Sequence, residues 1–374
     1  MGFASLKLKA MPSKRELAAQ LAYRTGITPL LELFPSRSSL LVLNYHRVGD
    51  ARKTPYDSGT FSCTTAELDW QIGRLKRKFR IVTLEQAAGI VHGRTKPSGT
   101  SVLITFDDGY RDNYDEAFPV LRRHGVPAAF FLPTAFVGTD LLPWWDQAAY
   151  MVKHSTQTCL WLNYPTAPKF DLTGSDRCAA VVSVLKFFKR TGAADPERFL
   201  KALETATGVA RPGAHSERCF LSWDEAREMQ DSGMCFGSHT HTHEVLAGLP
   251  YRRQIEELET SREILESKLG STIDTLAYPI GKPETFSNDT ARALQSAGYN
   301  TAFSFYSGLN RPGSIRPFDV LRGRVDSDSH ARFRRWAAAA ITNLRSMRRR
   351  RNGVRLARLS NRWFLLRSPL VDHN

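Results

Sequence analysis

Residues 101–109 read SVLITFDDG, an apolar run that ends in two acids and a glycine. A short, continuous apolar run bounded in this way is typical of a strand that is buried on both faces of a parallel sheet. Similar runs occur at 39–48 (SLLVLNYHRV) and 128–133 (AAFFLP), and stretches with helical spacing separate them. Repeated strand–helix units of this length predict an α/β protein with a parallel sheet, either open or closed into a barrel.

The same alternation resumes at residue 223 and continues to about residue 325, but the segment before it breaks the pattern. We predict that residues 139–216 form an insertion that acts as a lid or as a wall beside the substrate. The predicted organisation is an N-terminal helical segment at 1–38, the α/β domain at 39–328 and a basic C-terminal helical tail at 329–374.

The composition excludes several classes of protein. Of the 374 residues, 42% are hydrophobic and 24% are charged, which is an ordinary globular balance and not that of a disordered, collagen-like or coiled-coil chain. The five cysteines are scattered and form no CxxC pair, which predicts reduced thiols. The sequence contains no GxSxG, GxxxxGK[ST] or GxGxxG motif, so serine hydrolase, P-loop and Rossmann dinucleotide-binding classes lose their main support.

The net charge of +15 is concentrated at the C-terminal end. Residues 331–374 hold twelve arginines and one acid, or +11, whereas the other 330 residues carry only +4. Arginines beside apolar and tryptophan positions are typical of a helix on an anionic membrane surface. Phosphate-backbone binding and an ordinary solvated helix face give a similar pattern, and we favour the membrane over nucleic acid.

The predicted compartment is the cytoplasm, with the tail at the inner face of a membrane. No uncharged apolar stretch of about 18 residues occurs, which predicts that no helix spans a membrane. The N-terminal residues lack the continuous apolar region of a secretory signal.

Polar clusters follow three of the predicted strands directly, at 45–47 (YHR), 107–110 (DDGY) and 239–243 (HTHTH). Functional side chains gather at the carboxyl ends of parallel strands, so we expect these clusters to share one site. The alternatives are that one aspartate caps the following helix, that the clustered histidines are incidental, and that His46 is an ordinary buried histidine.

The residue types in these clusters suit a metal centre. Asp108, His239 and His243 supply one carboxylate and two imidazoles, a donor set that zinc favours at catalytic sites with an open position for water. Asp107 is then left over as a base.

The chain resembles the polysaccharide deacetylase (NodB-homology) family of metal-dependent carbohydrate esterases. Residues 105–113 (TFDDGYRDN) are similar to its first motif, and residues 237–243 (GSHTHTH) are similar to its second motif, H-[ST]-x-x-H. The resemblance implies a distorted (β/α) barrel of the deacetylase type, here with a mid-chain insertion and terminal helices.

The resemblance also implies roles for individual residues. Asp107 would be the general base, and Asp108, His239 and His243 would bind a divalent metal, with zinc favoured and cobalt or nickel as alternatives. The stretch YHRV at 45–48 resembles the subgroup that acts on exopolysaccharides such as poly-N-acetylglucosamine, in which an N-terminal histidine is the general acid. His46 matches that histidine.

One position departs from the family pattern. Many members carry an arginine in the third motif that orients the base, and Ala277 stands there in this chain. Arg322 in VLRGRV is similar to an arginine of an LPR-type stretch and could take over that role. We also expect backbone N–H groups near Tyr110 to hold the oxyanion. Tyr278 and the tryptophans at 144–145 are candidate sugar-stacking surfaces, and an equally good alternative is that the tryptophans belong to the core of the insertion.

We therefore expect a metal-dependent hydrolase that removes N-acetyl groups from N-acetylhexosamine units of a polysaccharide or a lipid-linked glycan. Its expected partners are that glycan and, through the tail, an anionic membrane surface, but not nucleic acid. One alternative keeps the reaction and changes the substrate to peptidoglycan or another amide. A second alternative is a degenerate deacetylase fold that binds glycan or membrane without catalysis.

Overall fold

The computed structural model describes residues 38–325, with gaps at 165, 175–176, 191–194, 214–217 and 307. The tail predicted at 329–374 and the N-terminal segment predicted at 1–38, apart from its last residue, lie outside the described residues. Among the described helices, none has the length and apolar character needed to cross a membrane.

The strands of the described part are numbered in chain order. They are β1 (Ser39–Tyr45), β2 (Arg47–Val48), β3 (Phe61–Cys63), β4 (Arg80–Ile81), β5 (Thr100–Asp107), β6 (Ala129–Leu132), β7 (Cys159–Trp161), β8 (Lys169–Asp171), β9 (Cys235–Ser238), β10 (Thr275–Ala277), β11 (Thr301–Phe303) and β12 (Arg322–Arg324).

Eight of these strands form one parallel sheet in the order β11-β10-β9-β6-β5-β1-β12, with β4 beside the first half of β5. The sheet closes almost completely, because Phe303 of β11 pairs with Val320 just before β12, and β12 pairs with β1. The predicted (β/α) barrel is confirmed.

Helices separate most of the sheet strands. They are α1 (Thr65–Lys78), α2 (Leu84–Val91), α3 (Phe118–His124), α4 (Trp144–His154), α5 (Cys178–Arg190), α6 (Pro196–Thr207), α7 (Trp223–Asp231), α8 (Tyr251–Leu269) and α9 (Asn288–Ser296). Thr64 caps α1, since its hydroxyl accepts from the Glu67 N–H and the Glu67 side chain accepts from the Thr64 N–H. A π-helical turn, Asn113–Ala117, directly precedes α3.

The barrel interior is apolar at one end and polar at the other. Side chains alternate between the two faces of a strand, so Leu103, Thr105 and Asp107 of β5 all point inward. The apolar inward side chains pack with α2 into one buried cluster. Asn44, Thr105, Asp107 and Arg322 form a hydrogen-bonded layer above it, toward the carboxyl ends of the strands.

The insertion is built around a core of its own. It contains α4, the antiparallel hairpin β7–β8, α5 and α6, whose apolar side chains pack in one buried cluster. Three side chains from the barrel side, Tyr110, Phe136 and Phe220, belong to the same cluster. Continuous packing of this kind indicates a fixed wall and not a hinged lid.

Candidate metal centre and active site

The two adjacent aspartates face one site because the backbone turns sharply after the first. Asp107 ends β5, and Asp108 has a φ of +73°, in the left-handed region that aspartate tolerates better than most residues. Gly109 follows at +67°, where a Cβ would lie 2.7 Å from the Leu132 side chain. The turn gives both carboxylates access to the carboxyl end of the barrel.

The histidine loop after β9 is held by a buried carboxylate. Glu257 of α8 accepts hydrogen bonds from the N–H groups of His241 (3.0 Å) and Thr242 (2.8 Å) and from the Thr242 hydroxyl (2.8 Å). Thr240 and His243 have φ values of +65° and +63°. This left-handed backbone conformation costs free energy for threonine and persists only where surrounding contacts fix it. The hydrogen bonds to Glu257 are such contacts.

The predicted metal ligands lie together. Asp108, His239 and His243 each offer one ligand atom, and these atoms lie within 4.8 Å of one another. The Nε2 atoms of His239 and His243 are 3.5 and 3.4 Å from Asp108 Oδ1. His239 Nδ1 is 2.7 Å from the Ala277 carbonyl, to which it donates, so its Nε2 keeps a free lone pair.

The Asp108 carboxylate provides the test of whether a metal fits this set. Its Oδ1 atom is buried and has no hydrogen-bond donor among the described residues. Burial alone raises the pKa of Asp108, but the neighbouring His239 and His243 outweigh it and hold that pKa well below its usual range. A buried, ionised and unpaired oxygen that faces two imidazoles is suited to a divalent cation.

Asp107 is held by a different set of contacts. Arg322 donates two hydrogen bonds to it, Nη1 to Oδ1 at 2.7 Å and Nη2 to Oδ2 at 2.8 Å, and Asn44 Nδ2 donates to Oδ2 at 2.9 Å. Arg322 is fully buried, and its Nε donates to the Ser304 carbonyl at 3.0 Å. Burial raises the pKa of Asp107, but the charges of Arg322 and His239 reverse the effect, so the carboxylate stays ionised.

Replacing Arg322 should change how activity depends on pH. Without the guanidinium, the pKa of Asp107 rises, so Arg322→Met should lose more acetate-releasing activity at pH 6 than at pH 8. Arg322→Lys should restore part of the loss, because it keeps the charge without the paired geometry. The measurement is a pH–rate profile of both variants, with thermal unfolding as a check on folding. If the fall of activity at low pH began at the same pH in Arg322→Met as in the unsubstituted protein, this role for Arg322 would be contradicted.

His46 lies at the same end of the barrel, one residue beyond β1. Its N–H donates to Ser62 Oγ at 2.9 Å, its carbonyl accepts from Asn113 Nδ2 at 2.8 Å, and its ring packs against Phe305 with centroids 5.4 Å apart. Burial lowers the pKa of His46, and the charges of Asp108 and Asp107 oppose this only in part. His46 is thus close enough to Asp107 and Asp108 for their charges to act on its pKa.

Tyr278 does not present a stacking surface. Its side chain is 1% exposed, its hydroxyl donates to the Phe318 carbonyl at 3.0 Å, and its ring stacks on Phe286 with centroids 4.3 Å apart. The prediction that its ring binds sugar is therefore wrong, because packing uses both its face and its hydroxyl.

Tyr110 and Trp145 are also buried, and they connect the insertion to the metal centre. Trp145 Nε1 donates to the Tyr110 hydroxyl, which donates to Asp146 Oδ2, both at 2.7 Å. The Trp145 ring packs on the His243 ring with centroids 4.5 Å apart. Trp145 is therefore part of the wall that fixes His243, and its prediction as a sugar-stacking surface is wrong. Burial raises the pKa of Asp146 to about 7.

Glu257 has a supporting role that the sequence did not reveal. Glu257→Gln removes the negative charge and one of the two oxygens that accept from the His241 and Thr242 N–H groups and the Thr242 hydroxyl, so metal affinity should fall by roughly 10–100-fold. Competition with a chromophoric chelator measures this. Glu256→Gln is the matched control, since Glu256 is half-buried on the same helix and its ion pairs among the described residues are with Arg252 and Arg253. Equal zinc affinity in both variants would contradict the prediction.

The family of the chain follows from these motifs and from a direct sequence match. Residues 94–160 and 176–302 match the sequence model of the family described as Polysaccharide deacetylase. The chain belongs to this family.

Individual relatives agree with this assignment. A Bacillus subtilis protein named as a candidate polysaccharide deacetylase, YxkH, is 21% identical over 262 residues, covering 70% of this chain and 63% of that protein. The poly-beta-1,6-N-acetyl-D-glucosamine N-deacetylase of Staphylococcus epidermidis is 36% identical over 115 residues, covering 28% of this chain and 39% of that protein. The chain thus matches less than two thirds of the length of these relatives.

Two solved structures share the fold. IcaB from Ammonifex degensii aligns with a TM-score of 0.52 at 22% identity, over 82% of this chain and 98% of that chain. The deacetylase PplD of Streptococcus pyogenes, in complex with acetate, aligns with a TM-score of 0.52 at 15% identity, over 80% and 97%. The barrel of this chain is thus the barrel of known deacetylases.

Proposed function

We propose that the protein is a metal-dependent hydrolase that removes N-acetyl groups from N-acetylhexosamine units of a polysaccharide or a lipid-linked glycan. The observation that carries the proposal is the unpaired Asp108 oxygen facing His239 and His243, with Asp107 held separately by Arg322. Family membership and the names of the staphylococcal relatives support the choice of glycan and acetamide.

Asp108, His239 and His243 would hold the metal. We propose zinc, with cobalt or nickel as alternatives, because two imidazoles and a carboxylate suit these ions. When bound, such an ion supplies Lewis acidity toward an amide carbonyl and makes a bound water more acidic.

Two further side chains would move protons. Asp107, kept ionised and oriented by Arg322 and Asn44, would take a proton from the attacking water. His46 would give a proton to the departing sugar amine, because an amide nitrogen leaves poorly unless it is protonated. The charges of Asp108 and Asp107 favour the protonated imidazole that this transfer requires, against the burial that lowers the pKa of His46.

Acetate release from a panel of N-acetylated glycans, with and without chelator, tests the proposal. We expect release from at least one polysaccharide of N-acetylhexosamine, abolished by chelator and restored by zinc. Release from peptidoglycan alone would favour the alternative substrate. Glycan binding without acetate release in zinc-loaded protein would favour a degenerate, non-catalytic fold and contradict the hydrolase.

We also propose that the protein works at the inner face of a membrane, bound through the basic tail at 329–374. The support is the charge of +11 carried by residues 331–374 together with interspersed tryptophans and leucines. A chain shortened to residue 328 should no longer co-sediment with vesicles that contain anionic lipid, whereas the full chain should do so. Neutral vesicles are the control, and equal sedimentation of both chains would contradict the membrane proposal.

A further inference from the structure

Three basic side chains from separate segments lie near the open end of the candidate site. Lys189 is in the last turn of α5 in the insertion, Lys282 is in the loop after β10, and Arg324 is the last residue of β12. All three are exposed. None of them has a role in the proton transfers or in the metal set.

Strand geometry places Arg324 just above the base. Arg322 points into the barrel and binds Asp107. Residues two apart on a strand share a face, so Arg324 lies on the same face of β12 as Arg322, closer to the carboxyl end of the barrel. In the sheet, Arg324 pairs with Asn44, which itself donates to Asp107. Arg324 therefore lies at the open end, one step beyond the Arg322–Asp107 pair.

Lys282 is tied to the general-acid side of the site. It follows Gly281, whose carbonyl accepts a hydrogen bond from the Phe305 N–H at 2.6 Å. The Phe305 ring packs against His46. Lys282 therefore directly follows the residue that binds Phe305, and Phe305 contacts His46.

Lys189 approaches from the insertion. Its Nζ lies 5.9 Å from the centre of the Trp144 ring, which meets Trp145 edge-on with centroids 5.6 Å apart. Trp145 packs in turn on the metal ligand His243. The insertion therefore places a positive charge that is linked to His243 through the rings of Trp144 and Trp145.

The three charges also act on one another. Surrounding protein atoms take part of the water away from the exposed Lys189 ammonium and lower its pKa; the charges of Asp57 and Asp108 oppose this, and the positive charges of Lys282 and Arg324 lower the pKa further. These effects agree with the separate placements of Arg324 beside Asn44, of the Lys282 turn beside Phe305 and of Lys189 beside Trp144.

The two acids whose charges act on Lys189 already have other contacts. Asp57 is buried and accepts a hydrogen bond from the Gly59 N–H at 2.8 Å, and Asp108 belongs to the metal set. Neither Lys189 nor Lys282 forms an ion pair with any acid in the described ranges. Clustered like charges repel, and a cleft lined by one sign of charge attracts the opposite ion.

We propose that Lys189, Lys282 and Arg324 form a subsite for an anionic group, a carboxylate or a phosphate, carried by the glycan next to the N-acetyl sugar. The inference rests on the proposed function and narrows its substrate class to acidic glycans. Arginine and lysine are the side chains that bind such groups, one through a planar fork and the other as a point charge. The insertion then has a role in selecting the substrate.

Calorimetric binding to zinc-loaded, full-length protein tests the subsite. The probes are a hyaluronan tetrasaccharide, which carries carboxylates, UDP-N-acetylglucosamine, which carries a diphosphate, and neutral chitotetraose. The combined variant Lys189→Gln, Lys282→Gln and Arg324→Gln should bind at least one anionic probe about tenfold more weakly, with chitotetraose affinity unchanged within about twofold. The affected probe identifies the source of the anion.

A charge-matched control comes from the opposite end of the barrel. Arg80, Arg94 and Lys96 are exposed and precede or begin β4 and β5. The combined variant Arg80→Gln, Arg94→Gln and Lys96→Gln should bind every probe as the unsubstituted protein does. Zinc content and thermal unfolding confirm that both variants are folded and loaded.

The outcomes separate the subsite from the hydrolase. Equal loss of affinity in the two combined variants, or no preference of the unsubstituted protein for anionic over neutral probes, would overturn the subsite. Anionic binding that depends on the three cations, without acetate release from any glycan, would overturn only the hydrolase. Deacetylation of chitotetraose without any charge preference would overturn only the subsite.

Discussion

Asp107→Asn should lower acetate release by about 10²–10⁴-fold while the protein keeps its metal. An amide cannot accept the proton of the attacking water, and Asp107 lies outside the set of three metal ligands. The loss should appear in kcat more than in KM, because the carboxylate acts on the water and not on the sugar. The measurement is steady-state acetate release combined with zinc content.

A matched control separates chemistry from folding. Asp115→Asn is the control, because Asp115 is an exposed aspartate just after the first motif and its ion pair among the described residues is with Arg111. This variant should keep its activity. Asp107→Asn also weakens the contact with the buried Arg322, so thermal unfolding must be followed in parallel. Full turnover by a folded Asp107→Asn protein would remove Asp107 as the base.

His239→Gln should abolish acetate release and weaken zinc binding by more than about 100-fold. Loss of a residue that only supports a ligand costs up to about 100-fold, and loss of a ligand itself should cost more. His239 is the ligand with the most constrained ring, since its Nδ1 donates to the Ala277 carbonyl and its Nε2 faces Asp108. Competition with a chromophoric chelator gives the affinity, and added zinc in large excess should recover little activity.

His241→Gln is the corresponding control in the same loop. His241 Nδ1 lies 2.9 Å from the Thr134 hydroxyl, and His241 is not part of the metal set. We expect its zinc affinity to stay within a few-fold of that of the unsubstituted protein. If the two histidine variants lost zinc equally, the loop as a whole, and not the particular set of Asp108, His239 and His243, would be responsible.

The sequence predicted the barrel and the position of the site because both depend on local patterns. Apolar runs of strand length ended in acids or histidines, and the carboxyl ends of parallel strands meet at one end of a barrel. The assembly of Asp108, His239 and His243 followed from that rule together with the family motifs. The structure places their ligand atoms close together, as a shared metal requires.

Other features depend on contacts between distant segments and could not be read locally. Asn44 and Glu257 support the site through single hydrogen-bonding atoms, and each lies in a stretch with no motif of its own. In the sequence, only Gly109 indicates that the backbone turns here, and nothing indicates the left-handed conformation of Asp108 itself. Tyr278 was predicted to offer a sugar-stacking surface, but its ring packs on Phe286 and is buried.

Arg322 illustrates how a missing motif residue can be replaced. In this chain the third-motif position is Ala277, whose carbonyl accepts from His239 and whose side chain is too short to reach the base. Arg322, on the strand that nearly closes the barrel, reaches Asp107 from the other side. Barrel closure makes this possible, since it brings β12 next to β1 and within reach of β5.

The most direct test of the account is a crystal structure of the zinc-loaded protein with data collected at the zinc absorption edge. We predict one anomalous peak at the carboxyl end of the barrel, about 2.0–2.2 Å from the Nε2 atoms of His239 and His243 and from an Asp108 oxygen. Asp107 should remain paired with Arg322. An ion bound through Asp107 in place of Asp108, or no peak at these three residues under excess zinc, would contradict the central claim.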